Sequence, residues 1–236
     1  MKSFIYEIHS HTNEGSTCAN ISGVELAHLY KEKGYSGICI TDHFFKSNTT
    51  VPDNLPWQER IDLFCQGYEN CKEEGAKIGL DVFLGWEFTH KGTDFLTYGL
   101  GKNWLLNHPD LHKYKINEYC DLVHESGGFI VHAHPFWDSI HVNRIIRLLP
   151  GKVDAVEINN PRRSDFENER AKEFADNYGL YKIAASDIHH RDHDQFNGIR
   201  LKRPVENSQD LITEIKKNNI ELIIDIEKSK KMCEEM

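Results

Sequence analysis

Short apolar runs alternate along the chain with longer stretches in which apolar positions recur every three or four residues. The short runs are Phe4–Ile8, Gly37–Thr41, Asp81–Trp86, Phe95–Leu100, Phe129–Ala133, Ala155–Ile158, Lys182–Ala185 and Ile220–Ile224. Each is rich in β-branched or aromatic residues and bounded by Gly, Pro, Asn or Asp, which predicts strands. The longer stretches predict helices. Ser22–Lys33 offers Ser22 as N-cap, Glu25 three residues on and Gly34 just past the end. Gln58–Glu74 ends at Gly75, Ile116–Ser126 at Gly127-Gly128 and Asp165–Asn177 at Gly179, while Ser208–Asn218 opens on a serine cap.

Strand–helix alternation kept up over the whole length points to βα units and a largely parallel sheet. Seven or eight units in 236 residues suit a single domain, 1–236, built as a closed or nearly closed (β/α) barrel. An open doubly wound sheet is the alternative. No glycine-rich phosphate loop opens any of the helices. The segment Phe45–Trp57, with Pro52 and Pro56, reads as a long rim loop, and Lys228–Met236 as a frayed end.

Composition narrows the classes. With 39% hydrophobic and 28% charged residues the chain is that of an ordinary globular protein. No apolar run approaches the roughly 20 residues that span a bilayer, and the start lacks the apolar stretch of a signal peptide, so a cytoplasmic protein without a membrane partner is expected. A net charge of -9 supplies no basic footprint for a long nucleic-acid duplex. The six cysteines are scattered and form no C-x-x-C pair, as in a reduced protein; Cys18 stands out because it closely follows the first histidine pair.

The fourteen histidines change the picture. His28, His112, His124 and His141 sit in helical or polar stretches and are expected at the surface. Others end strands. His9 and His11 end the first, Asp42 and His43 the second, Glu87 the third, His132 and His134 the fifth and Glu157 the sixth, while Asp187 and His189 follow the seventh. Residues two apart in a strand point to the same face, so His9/His11, His132/His134 and Asp187/His189 each present a pair. In a barrel the carboxyl ends of the strands converge on one face, so these side chains are expected in one cluster. Imidazole with carboxylate suits Zn, Mn or Fe. Whether His132 is a ligand or a core residue stays open; Glu157 is expected behind the ligands, and His190 and His193 on the loop beyond them. Packing is the expected role of Trp57, Trp104 and Trp137.

The order H-x-H-T, T-D-H, a lone Glu after G-x, A-H-P and S-D-x-H, from His9 to about Asp225, resembles the PHP (polymerase and histidinol phosphatase) family. The resemblance implies a distorted (β/α)7 barrel of the α/β class, a centre of two or three divalent metal ions, and phosphoesterase activity. It further implies that His9 and His11 bind one metal with Glu87 and Asp187, that Glu87 bridges to a second metal also bound by His134, and that His43 and His189 hold a third, with Asp42 a ligand or a support. The chain departs from the family's pattern in three places. Glu7 stands where many relatives have Asp. Asn13–Cys18 stands where they have a further His or Asp, with Glu14 a candidate substitute. The fourth strand, Phe95–Leu100, lacks the family's His, and His90 or His108 is a candidate replacement.

The mechanism this suggests is hydrolysis of a phosphate mono- or diester by a hydroxide between two metals about 3.5–4 Å apart, bridged by Glu87. His189 or His43 would protonate the leaving group. Arg162, Arg163 and Arg191 lie just past strand ends and are candidates to clamp the phosphate of a small phosphorylated substrate. Two rivals remain. A metal-dependent amide or lactone hydrolase would commonly use a modified lysine at the end of a central strand, and none is there. A non-catalytic accessory metal-binding module would bind metal without turnover. Substrate identity, metal identity and oligomeric state are not legible.

Overall fold

The computed structural model describes residues 3–137 and 146–225. His141 and Lys228–Met236 lie outside them. Among the described residues nine strands form one sheet: β1 (Phe4–Glu7), β2 (Gly37–Ile40), β3 (Asp81–His90), β4 (Thr93–Tyr98), β5 (Phe129–Ala133), β6 (Ala155–Asn159), β7 (Tyr181–Ala184), β8 (Gly198–Leu201) and β9 (Ile220–Ile223). Their order is β7-β6-β5-β4-β3-β2-β1-β8-β9. β1, β2 and β3 run parallel, as do β5, β6 and β7. Past the strand ends the sheet curls toward closure: Ser10, beyond β1, bridges to Ile188, beyond β7, and the His11 N–H donates to the Ile188 carbonyl at 3.0 Å. The result is the nearly closed α/β barrel that the alternation predicts.

Two strands depart from the βα scheme. β4 is antiparallel to both of its neighbours. It follows β3 through Lys91 and Gly92, whose φ values of 50° and 77° make the two-residue hairpin turn that matches strand twist. β8, which the apolar pattern does not reveal, pairs antiparallel with β1 and β9.

The helices are α1 (Gly23–Glu32), α2 (Trp57–Phe64), α3 (Gln66–Ile78), α4 (Lys102–Leu106), α5 (Ile116–Glu125), α6 (Asp165–Tyr178) and α7 (Ser208–Lys216). The capping box of Ser22 and Glu25 opens α1 as expected. The single helix expected over Gln58–Glu74 is two, divided at Cys65, and it runs past Gly75 to end at Gly79 in the left-handed region. Gly75 is a packing residue, because a Cβ there would lie 2.6 Å from the Leu80 carbonyl oxygen. Asn207, not Ser208, caps α7, its side chain accepting from the Asp210 N–H.

β3 is buried from Val82 to Phe88, so both of its faces are covered. Trp86 packs with Phe44, Phe64 and Phe95, and its indole N–H donates to the Tyr119 hydroxyl at 2.7 Å. Each such buried aromatic or aliphatic side chain contributes about 1.5–3 kcal/mol relative to exposure. The described cysteines are free thiols, all buried except Cys18. No helix among the described residues is long and apolar enough to cross a membrane.

His28 is exposed and His124 half-buried against Asp154, but His112 is buried, contrary to expectation. Its ring stacks on Trp57 and meets the edge of Phe45. Burial lowers its pKa to about 4, and Arg60 and Lys46 add repulsion. An unfolded histidine titrates near 6.5, so between about pH 6.5 and 4 the unfolded chain binds a proton that the folded chain refuses. The contribution to stability is therefore lost as pH falls through that window. Denaturant titrations at several pH values should show His112→Phe gaining stability relative to the wild type as pH drops from 6.5 to 4. A difference independent of pH would contradict the neutral, buried ring.

Candidate metal centre

The parallel strands deliver their last residues to one place. His9 and His11 follow β1 in period two, and His43 follows β2. His43 also forms a parallel bridge to Glu87 in β3, where the Glu87 N–H donates to the Asp42 carbonyl at 3.0 Å and the Phe44 N–H to the Glu87 carbonyl at 2.8 Å. His134 follows β5, and Asp187 and His189 follow β7. Two of these residues hold backbone conformations that ordinary side chains avoid, His134 at φ 28° and Asp187 at φ 52°.

Glu87 lies at the middle. Its side chain is 1% exposed, and neither carboxylate oxygen has a hydrogen-bond partner. Around it stand His43 Nδ1 at 2.7 Å, His11 Nε2 and His134 Nε2 at 3.4 Å, and His9 Nε2 at 3.7 Å. Asp187 Oδ1 is 3.4 Å from both His9 Nε2 and His11 Nε2, and those two nitrogens are 3.1 Å apart. Burial raises the pKa of Glu87, but the His43 charge and the other imidazoles outweigh it and hold the carboxyl well below its usual range.

Among the described residues four groups have donor atoms within 4.8 Å of one another: His9, His11 and Asp187; His9, His134 and Glu157; Glu87, Asp94 and His134; and His11, His43 and His189. A buried carboxylate ringed by imidazole nitrogens fits a divalent cation, which would satisfy both. His9, His11, His43, Glu87, His134, Asp187 and His189 are thus brought together.

Other carboxylates hold this group from behind. Glu157 Oε1 bonds His9 Nδ1 at 2.9 Å, which leaves His9 Nε2 facing Glu87 and Asp187, and Glu157 Oε2 accepts from the His134 N–H. One of its oxygens also falls in one of the four groups, so it is closer to the centre than a distant support. Glu7 accepts from the backbone N–H groups of Ile8, His9 and Ser186 and from the Tyr30 hydroxyl, which ties β1 to the segment after β7. Burial pushes its pKa up to about 7 against those bonds. Asp42 stands among the supports: Oδ1 accepts from Thr12 N–H and Ser16 Oγ, and Oδ2 from Thr12 Oγ1, each at 2.7 Å. Ser16 Oγ in turn accepts from the His43 N–H, so Asp42 fixes the loop that carries two imidazoles.

A cleft of about 380 Å³ opens beside the centre, with His43, Glu87, His134, Asp187 and His189 in its wall. Arg163 lies there, 3.2 Å from Asp187 and stacked 4.2 Å over Trp137, and Arg162 joins it at the mouth. Arg191 is not brought to the cleft: its side chain is 74% exposed and faces Glu25 on α1 at 3.7 Å. His132 is a core residue, stacked on Phe95 and edge-on to Phe174 with both nitrogens unpartnered. Glu14 is turned toward the N–H of Gly23 and the side chain of Asn70. His108 bonds the Trp104 carbonyl, and neither His108 nor His90 joins a ligand group.

Sequence reasoning misses the place of Asp94 beside Glu87 and His134. Candidate ligands are sought where strands end, and Asp94 is near the start of one; because β4 runs backwards, its first residues lie at the end where its neighbours finish. An acid beside a predicted hairpin turn is the signal that would have found it.

Cys18 also lines the cleft. Burial raises its pKa, but hydrogen bonds with His189 and His43 outweigh burial and bring it down to about 6. Burial pushes Cys65 and Cys120 up to about 12 and Cys39 and Cys71 higher still. Iodoacetamide at neutral pH should therefore alkylate Cys18 ahead of these four, read by peptide mass spectrometry. Equal labelling of all five would contradict this environment.

No family model and no curated protein matches the chain. Solved structures do match. One is a two-domain protein from Bacteroides vulgatus containing a predicted PHP-like metal-dependent phosphoesterase, with a TM-score of 0.71 at 16% identity over 95% of this chain; the chain spans 65% of that protein. An amidohydrolase from Chromobacterium violaceum, with bound sulfate and no metal, gives a TM-score of 0.53 at 12% identity over 92% of this chain and 97% of its own. A lesion-specific endonuclease from Pyrococcus furiosus gives 0.59 at 12% identity over 94% of this chain and 58% of its own. This likeness gives the chain the fold of the PHP-like metal-dependent phosphoesterases.

Proposed function

We propose that the protein is a metal-dependent phosphoesterase that hydrolyses a small phosphate mono- or diester in the cleft beside Glu87. The observation that carries this reading is the buried, donor-free carboxylate of Glu87 within 3.7 Å of four imidazoles. His9, His11, Asp187 and Glu87 would hold one divalent ion, Glu87 and His134 a second, and His43 and His189 a third. Such ions would supply charge neutralisation for phosphate oxygens and lower the pKa of a water toward neutrality.

The chain's own residues do the rest. Nδ1 of His189 bonds the Asp187 carbonyl at 2.9 Å, which assigns its proton to Nδ1 and leaves Nε2 as the lone-pair nitrogen. Glu157 orients His9 in the same manner. Arg163, held by Trp137 and Asp187, presents a guanidinium at the cleft, with Arg162 beside it; such a fork suits phosphate oxygens. The departing alkoxide needs a proton, which His189 or His43 in the cleft wall would supply where its ring is not committed to a metal ion. The cleft volume suits a small molecule, not a duplex.

A second reading, hydrolysis of an amide or lactone, draws support from the likeness to the amidohydrolase. Among the described residues no lysine lines the cleft, whereas two arginines do, and this favours the phosphate ester.

Purified protein loaded with manganese, iron or zinc should hydrolyse an aryl phosphate. His9→Ala and Glu87→Ala should each lower turnover by at least about 100-fold, the upper range seen when even the outer partners of a metal are removed, and should reduce bound metal. Arg163→Ala should raise KM about tenfold or more, since a hydrogen bond to a charged group contributes about 1.5–3 kcal/mol. Full activity in either ligand variant rejects the assignment. Turnover of amides or lactones alone favours the second reading. Metal uptake without turnover of any ester, together with a stoichiometric protein partner, favours an accessory module.

A further inference from the structure

We propose that a cavity beside the rim loop, separate from the metal cleft, is a second anion site, in which Arg60, His112 and Lys46 take a phosphate group, either free or carried by a small molecule. The inference is independent of the metal-dependent reading above.

The cavity measures about 350 Å³ and shares no lining residue with the cleft at Glu87. The rim loop serves both. Ser47 and Asn48 line the cleft, whereas Lys46, in the left-handed region at φ 68°, lines the cavity. The other walls are α2, which brings Trp57 and Arg60, and the 3-10 turn Leu111–Lys113, which brings His112 and Lys113.

Two buried polar side chains there have hydrogen-bonding capacity to spare. Arg60 is 5% exposed. Arginine is rarely buried so far unless paired, and it carries five N–H donors. Here Nη2 donates to Asp53 at 3.0 Å, Nε is sealed from water without a partner, and Nη1 makes no hydrogen bond. The guanidinium lies 4.0 Å over the Phe45 ring, a contact that fixes its plane without pairing its in-plane donors. His112 is 9% exposed and stacks on Trp57. Its Nδ1 is sealed and unpartnered, so Nε2, also without a hydrogen bond, is the ring nitrogen left for a ligand.

Charge points the same way. Arg60, Lys46 and Lys113 all stand close enough to His112 to repel a proton from it. Lys46 is exposed and makes no ion pair, while Lys113 pairs with Asp110 at 2.8 Å. Asp53 and Asp110 also line the cavity, so three cations face two carboxylates and one positive charge is left over. The Asp53 side chain is 82% exposed, so its pair with Arg60 is a weak one. Packing explains the stack of Arg60 on Phe45. It does not explain a second buried polar ring and an unpaired lysine at the same cavity, because buried polar groups left unpaired are costly. An oxyanion held by Arg60 Nη1, His112 Nε2 and Lys46 Nζ would pair all three. The volume leaves room for a small molecule attached to it.

The test is an NMR titration of the full, isotope-labelled, zinc-loaded chain with inorganic phosphate and, separately, with glycerol phosphate. The Trp57 indole N–H and the His112 amide report the cavity, and the amide at Arg163 reports the cleft. The cavity signals should shift and saturate in the wild type. Lys46→Ala, at an exposed position, and His112→Phe, which keeps a ring on Trp57, should each lower the affinity read at the cavity about tenfold, the effect of losing one hydrogen bond to a charged group, with the affinity read at the cleft unchanged. Tighter binding of the ester than of the free ion assigns the site to a phosphorylated small molecule; an ester that binds no tighter assigns it to the phosphate ion. No shift at the cavity, or wild-type cavity affinity in both Lys46→Ala and His112→Phe, overturns the proposal and leaves the phosphoesterase reading intact.

Discussion

Burying an ionised carboxylate costs several kcal/mol unless donors or opposite charge compensate. Glu87 sits in the middle of β3, walled in by neighbouring strands, and no hydrogen bond reaches either oxygen. Compensation comes from imidazoles delivered by β1, β2 and β5 and held at 2.7 to 3.7 Å. The pieces make sense together only if positive charge is shared among them. The barrel is the device that achieves this, because parallel strands end at a common level and point inward there.

Precision is supplied from behind. Glu7, Asp42 and Glu157 are buried acids whose oxygens are occupied by backbone N–H groups, hydroxyls or a ring nitrogen. Glu7 anchors the start of the His9–His11 segment to Ser186, Asp42 anchors Thr12 and Ser16, and Glu157 anchors His9 and His134. Each ties a segment of the centre to a second strand. Outer partners of this sort set the tautomer and orientation of the groups in front of them. The bond from the His134 N–H to Glu157 holds one of the two left-handed residues of the cluster.

The one reversed strand decides which residues of β4 reach the cluster. A parallel β4 would bring its last residues, Thr97 and Tyr98, to the ligand end. The tight turn at Lys91-Gly92 brings its first residues instead, and with them Asp94. A two-residue turn thereby places an oxygen donor next to Glu87 and His134 and leaves imidazole to dominate the opposite end.

Much of this was legible in the sequence. The period-two pairs at His9/His11 and Asp187/His189, placed where apolar runs stop, fixed which side chains share a face, and strand–helix alternation fixed a barrel that would gather them. Those are local properties of the chain, so one dimension records them. Three outcomes were not local. His132 has the same spacing to His134 as His9 has to His11, yet it is stacked on Phe95 and edge-on to Phe174, because β5 ends at Ala133 and the backbone turns at His134, so period two no longer holds between them. Arg191 follows a ligand segment as closely as Arg163 follows β6, yet one reaches α1 and the other the cleft, because loop paths are set by what they pack on. Asp42 and His43 are adjacent, and only tertiary hydrogen bonds from Thr12 and Ser16 turn the acid into a support while its neighbour faces Glu87. The sequence by itself determined the donors and the fold that collects them; tertiary structure decided which donors face inward, since that depends on neighbours distant along the chain.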